Sequence, residues 1–175
     1  WRMTEAPGGR DLTEWIRCIE HERPLPDGVE LARLGRCVAT IASAVRDLQQ
    51  SGIHPEERRT FQDVLAALRK DRDLLLEGAC AAQGQLVTRA LSLLERLEAL
   101  APLEEQMVPS HGALRHSQTI GDEHALTFID WDGLCLANPA LDAATFLTRL
   151  RQEPRKHPGR APAMERIAGV FRRAF

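Results

Sequence analysis

Lysine is almost missing from this chain. Of its 23 basic residues only Lys70 and Lys156 are lysines and the others are arginine. With abundant alanine and leucine, that bias marks a GC-rich, bacterial type of genome and carries no mechanism. Cysteine is scarce too: Cys18, Cys37, Cys80 and Cys135 lie far apart and form no C-x-x-C pair. This excludes a zinc frame or a disulfide scaffold and leaves reduced core residues of an intracellular protein. Neither sign of charge dominates. The net charge of -2 gives no pull toward nucleic acid or anionic membrane. No helical stretch gathers base-reading and phosphate-binding residues, which argues against a helix-turn-helix DNA reader. No apolar run reaches the roughly 18 residues of a membrane span. The start shows no n-region and h-region of a signal peptide, and no internal repeat is visible. A cytoplasmic protein without nucleic-acid or membrane partners is expected.

What is present is an ordinary globular composition, 43% apolar and 27% charged over 175 residues. A chain of this length forms one domain or a little more and buries roughly 70% of its unfolded surface. Its first hundred residues are helical in pattern. Asp11 precedes an apolar stripe at Leu12, Trp15, Ile16 and Ile19, ended by Pro24 and Pro26. Asp27 precedes a longer stripe at Leu31, Leu34, Val38, Ile41, Val45 and Leu48, whose steps of three and four define one helical face, closed by Ser51-Gly52. A third helix is expected from Pro55, with Phe61, Val64, Leu65, Leu68 and Leu75 on its face. A fourth runs from Gln83 to Leu100 and pairs with the third as an antiparallel hairpin. The acidic Asp71, Asp73 and Glu77 on the hairpin read as a solvated face. A cationic substrate is the alternative. Trp1 to Thr4 is β-prone, and Ala174-Phe175 stops within a helical pattern, so a piece of a longer chain is expected.

Chemistry is concentrated between Val108 and Leu150. Ala125 to Trp131 is the clearest strand, preceded by a turn at Gly121-Asp122-Glu123 and paired with Thr119 and Ile120. It ends on Asp130, followed by Asp132 and Gly133. A carboxylate ending an apolar strand is costly unless paired or bound to a cation, and hard cations take carboxylate and amide oxygens. The hairpin brings Gln118 near Asp130, which makes Mg²⁺ a fitting occupant. Turn formation is the plainer reading of a strand-end Asp. His111 and His116 lack any zinc-site spacing and read as anchors of the loop. A helix follows Pro139, and the last apolar face is Met164, Ile167, Ala168, Phe171 and Phe175.

Three ordered blocks carry a resemblance. His111-Gly112-Ala113-Leu114-Arg115-His116-Ser117-Gln118, Ile129-Asp130-Trp131-Asp132 and Asn138-Pro139-Ala140-Leu141-Asp142 resemble H-G-D-x-x-x-x-N, I-D-[WF]-[DE] and P-x-x-D of the aminoglycoside phosphotransferase and choline kinase-like family. Met3 to Leu12 resembles that family's hinge, M-E-x-x-P-G-x-x-L, with one residue more. The resemblance implies the C-terminal lobe of a protein-kinase-like fold. It would be mainly α with a small β-hairpin, an α+β lobe. Residues 1–10 would be a hinge toward an N-terminal lobe of the same longer chain. Residues 11–175 would form the helical lobe, with the catalytic loop and metal strand at 108–150. It also implies ATP and Mg²⁺ as cofactors and a small hydroxylated substrate, in a kinase of the EC 2.7.1 type. The backbone of Thr4, Glu5 and Ala6 would bind adenine, and Asp130 and Gln118 would hold the metal. Asp142 would hydrogen-bond back to the loop, and His111 would pack it.

One position departs from the pattern. Ala113 stands where the family has its catalytic aspartate, and Gln118 replaces the family's asparagine. A methyl group accepts no proton, and losing a general base typically costs about 10²–10⁴ in rate. Phosphoryl transfer nevertheless rests mostly on positioning and charge neutralisation. Three readings stay open: a pseudokinase acting as a binding or scaffold domain, an atypical phosphotransferase in which His116 or Asp132 substitutes, and an engineered dead variant. The second change at Gln118 argues against the last, since one substitution would suffice. A helical-bundle interaction domain with an incidental hairpin is the bland alternative.

Overall fold

A computed structural model describes residues 31–78, 84–100, 106–121, 125–156 and 161–175. The expected first helix, Asp27 and the hinge residues Thr4, Glu5 and Ala6 lie outside the described residues.

The longest apolar stripe becomes helix α1, Leu31–Gln49. Its spacing puts Leu34, Val38, Ile41 and Val45 on one face, and all four are fully buried. Each contributes about 1.5–3 kcal/mol by leaving water. The chain turns out of the helix where Ser51 Oγ donates to the Leu48 carbonyl and Gly52 takes φ of 70°. Residues beyond it do not enter a helix at Pro55 as the sequence suggested. They run extended into strand β1, Arg58–Arg59, and helix α2 starts at Phe61 and ends at Gly78. Thr60 and Asp63 make the reason visible. The Thr60 N–H donates to Asp63 Oδ2 at 2.8 Å and the Asp63 N–H donates to Thr60 Oγ1 at 3.2 Å, a reciprocal cap that fixes the start. The Thr60 hydroxyl and N–H together hold the Asp63 carboxyl below its ordinary range.

Helix α3, Gly84–Ala99, packs on α2 as a hairpin. Arg69 Nε meets Glu98 Oε1 at 2.7 Å across it. That pair is half-exposed and contributes at most about 1 kcal/mol. The molecule's core lies elsewhere. Helices α4, Ala140–Lys156, and α5, Ala161–Ala174, pack on α1. They bury Phe146, Leu150, Met164, Ile167 and Phe171 against its stripe. The Phe146 and Phe171 rings stack at 4.6 Å.

Among the described residues, five short strands frame the remaining segment. β2, Val108–Ser110, and β1 flank β5, Cys135–Ala137, in the order β1-β5-β2. β1 runs parallel to β5 and β2 antiparallel, with Arg59 opposite Ala137 and Ser110 opposite Cys135. β3, Thr119–Gly121, pairs antiparallel with β4, Leu126–Phe128, placing Thr119 opposite Phe128. The expected strand to Trp131 is therefore shorter. Asp130 adopts a left-handed backbone and Trp131–Gly133 forms a 3₁₀ turn, which ends the pairing. Among the described residues no helix is long and apolar enough to cross a membrane.

Candidate active site

The loop from His111 to Gln118 leaves β2 and is fixed from beneath. Leu114 is fully buried among the side chains of the helical core. Asp142, two residues into α4, is fully buried as well. Its carboxylate accepts the His111 N–H at 2.7 Å and the Gly112 N–H at 2.9 Å. The start of α4 is itself set by Asn138, whose Oδ1 accepts the Ala140 N–H at 2.9 Å. The Pro139 turn therefore delivers Asp142 to the loop. Burial pushes the Asp142 carboxyl up. The two backbone N–H groups, then His111 and Arg59, pull it down without overcoming the burial.

A carboxylate held above its unfolded value takes up a proton more readily in the native protein. Its contribution is therefore largest below the unfolded pKa and is lost as pH rises through the folded pKa. In Asp142→Asn that component disappears. The stability advantage of the natural chain over Asp142→Asn should thus shrink as pH rises from about 3 toward neutrality, read by urea unfolding at a series of pH values. A constant difference across the series would contradict the assignment.

His111 is fully buried, and its ring lies 4.8 Å from that of Trp131 and edge-on to Phe128 at 5.9 Å. Nε2 sits 2.9 Å from the Ile129 carbonyl, so Nε2 carries the proton and donates it there. This contact ties the loop to the segment that bears Asp130. Gly112 is the tight point, with φ of 81°. A Cβ on it would stand 1.9 Å from the Gly133 carbonyl oxygen, so only glycine lets the two segments approach this closely.

Gln118 and Asp130 meet at the far end of the loop. Gln118 Nε2 donates to Asp130 Oδ2 at 2.6 Å. Gln118 is buried and held by its backbone, its N–H donating to the Arg115 carbonyl and its carbonyl accepting from Ile129 N–H. Asp130 has φ of 64° and ψ of 58°, and among the described residues it is the one non-glycine residue with positive φ. Such a backbone costs on the order of 1–3 kcal/mol and tends to persist where function requires it. Arg115 lies 3.6 Å from the same carboxylate, with both side chains 45% exposed.

The residues here suit a hard cation. Gln118 turns its Nε2 to the half-exposed Asp130 carboxylate, and its Oε1 is buried without a hydrogen-bond partner. With the amide turned over, the pair would offer a carboxylate and an amide oxygen, donors of the kind Mg²⁺ takes. Among the described residues no group of three His, Cys, Asp or Glu side chains stands together.

Three other sequence-derived site residues lie on the same segments as this pair. Ala113 is half-buried and offers no polar atom. His116 is buried in the 3₁₀ turn His116–Gln118, whereas Asp132 is exposed. Sequence reasoning missed Arg59. Its NH1 donates to the Gly112 carbonyl at 2.6 Å, across 53 residues of chain. No local pattern links positions that far apart, so only the fold could reveal the contact.

Residues 1–169 match the model of a family described as the phosphotransferase enzyme family. No curated protein matches. A solved glucosamine kinase superposes with a TM-score of 0.65 at 18% identity, covering 96% of this chain and 47% of its own. A second glucosamine kinase structure, in complex with glucosamine, ADP and inorganic phosphate, gives 0.63 at 17% identity over 96% of this chain and 44% of its own. A choline/ethanolamine kinase family protein from Mesorhizobium loti gives 0.51 at 18% identity, over 78% and 44% of the two chains. At these identities the likeness concerns the fold. The chain spans about half the length of these structures.

Proposed function

The chain belongs to the phosphotransferase enzyme family, and from that membership we propose that it supplies the C-terminal lobe of an ATP- and Mg²⁺-dependent kinase acting on a small hydroxylated molecule. The carrying observation is the Gln118–Asp130 pair, with its orphaned amide oxygen, at the end of a loop clamped by Asp142. The glucosamine kinase solved with glucosamine, ADP and phosphate supports a nucleotide and a hydroxyl acceptor meeting on this fold. Residues 1–10 would be the hinge toward a second lobe, with the backbone of Thr4, Glu5 and Ala6 toward adenine.

In this reading the bond from the γ-phosphorus to its bridging oxygen breaks, a bond to the acceptor oxygen forms, and the acceptor proton leaves. Asp130 and Gln118 would hold the metal. Bound Mg²⁺ would supply neutralisation of the phosphate charge, the larger part of catalysis in such transfers. Asp142, His111 and Gly112 keep the loop in place beside it. Arg115, already beside Asp130, adds a cation at the same edge. Ala113 provides no group for the proton. It passes to solvent or to the exposed Asp132, which is more accessible than the buried His116.

Calorimetric titration of the complete protein with Mg-ATP tests the metal side. The natural protein should bind, and Asp130→Ala should bind at least about tenfold more weakly, as loss of a direct metal contact entails. Absence of binding in both would overturn the reading and leave the fold alone. Ala113 itself favours a second reading, a nucleotide-binding scaffold without turnover.

A further inference from the structure

Arg59 has no part in the site as the sequence presents it, yet its position is held by two independent constraints. β1 is only two residues long and exposed, and it sits beside β5 with Arg59 opposite Ala137. The Glu57 carbonyl extends that pairing by accepting the Leu136 N–H at 2.8 Å. β2, on the other side of β5, runs directly into the loop at His111. One central strand thus fixes both the backbone of Arg59 and the entry to the loop. From there the guanidinium reaches the Gly112 carbonyl at 2.6 Å.

That carbonyl belongs to the peptide bond joining Gly112 to Ala113. The preceding N–H of Gly112 is held by Asp142 at 2.9 Å. Gly112 is therefore gripped on both sides, by a carboxylate at its N–H and a guanidinium at its C=O. At φ of 81° glycine has wide freedom of its own, so the orientation of the next peptide plane must come from these partners. The plane sets the direction in which the Cα–Cβ bond of residue 113 points. It also sets the shape of the space beside that residue.

Resting on the phosphotransferase reading, we propose that Arg59 is the positioning residue of the phosphoryl-transfer loop, orienting the Gly112–Ala113 peptide from outside while Asp142 holds the preceding His111–Gly112 peptide from within. Its hydrogen bond is charge-assisted and so stronger than a neutral one. The metal pair, Gln118 and Asp130, has its own backbone anchors at Arg115 and Ile129. Removing Arg59 should therefore disturb the acceptor side and spare the nucleotide side.

The test uses the complete protein with Arg59→Ala and Arg59→Lys. Amide hydrogen exchange at His111 and Gly112 should quicken about tenfold or more in Arg59→Ala, with α1 and α4 unchanged, and return toward the natural rate in Arg59→Lys. Turnover should fall by about 10²-fold at unchanged KM for nucleotide, as small misplacements of reacting groups do, with partial recovery in Arg59→Lys. Unaltered exchange in Arg59→Ala overturns the proposal. So does exchange that quickens throughout the chain, or a loss carried by KM for nucleotide. If the natural protein turns over no acceptor, the kinase reading fails on that arm, while the exchange arm still decides whether Arg59 holds the loop.

Discussion

Replacing Ala113 by aspartate is expected to raise phosphoryl-transfer turnover of the complete protein by about 10²–10⁴-fold, the range a general base contributes. The rest of the loop is ready for it. Asp142 and Arg59 already grip Gly112, and Leu114 is buried in the core beyond, so the backbone on either side of residue 113 is fixed. Gly133 lies beside residue 113, and a Cβ on it would already be in contact with the Ala113 methyl at 3.4 Å, so glycine there keeps that side of the residue open. Nucleotide affinity should hardly move, since Gln118 and Asp130 are untouched. Steady-state assays against a panel of hydroxylated acceptors, run on both proteins, give the answer. If Ala113→Asp binds Mg-ATP and still transfers nothing to any hydroxyl, the scaffold reading replaces the enzymatic one.

Gly112→Ala should disable the fold around the loop. The new methyl would stand 1.9 Å from the Gly133 carbonyl oxygen, 2.9 Å from its carbon and 3.2 Å from Cys135 Sγ. Two of those atoms are backbone, tied to β5 and the turn before it, so relief demands that the loop part from the strand. Doing so breaks the contacts of Asp142 and leaves a buried carboxylate and two N–H donors unpaired, at roughly 1–3 kcal/mol for each lost partner. The positive φ adds about 1–2 kcal/mol for any residue with a Cβ. The sum is at least about 4 kcal/mol, among the largest effects single substitutions produce. It is a large fraction of the roughly 5–15 kcal/mol of a whole domain. Gly52→Ala is the matched control, because Gly52 has φ of 70° and nothing within 4 Å of its missing Cβ. Urea unfolding should show only the backbone cost there. Equal losses in the two variants would mean that the Gly112–Gly133 approach contributes nothing.

Much of the scaffold was legible because periodicity reports burial. The stripe from Leu34 to Leu48 lies inside α1 and is buried, and Met164, Ile167, Ala168 and Phe171 are buried along α5. Errors fell where local preference competes with a cap or a turn. Pro55 suits a helix start, but the reciprocal Thr60–Asp63 bonds begin α2 later and free residues 57–59 to pair with β5. The apolar run to Trp131 suits a strand, but the left-handed Asp130 breaks it.

By itself the sequence determined which residue types make up the candidate site, since His111, Gly112, Gln118, Asp130 and Asp142 stand in ordered blocks, and it determined that position 113 carries no carboxylate. It also set the helical faces, because side-chain spacing along one segment needs no knowledge of any other. Tertiary structure alone decided how the blocks meet. The 2.6 Å bond between Gln118 and Asp130, the grip of Asp142 on two amides and the reach of Arg59 to Gly112 all join residues distant in sequence. Such contacts depend on strand register and helix placement, which are set by the packing of the whole core rather than by any neighbouring residue.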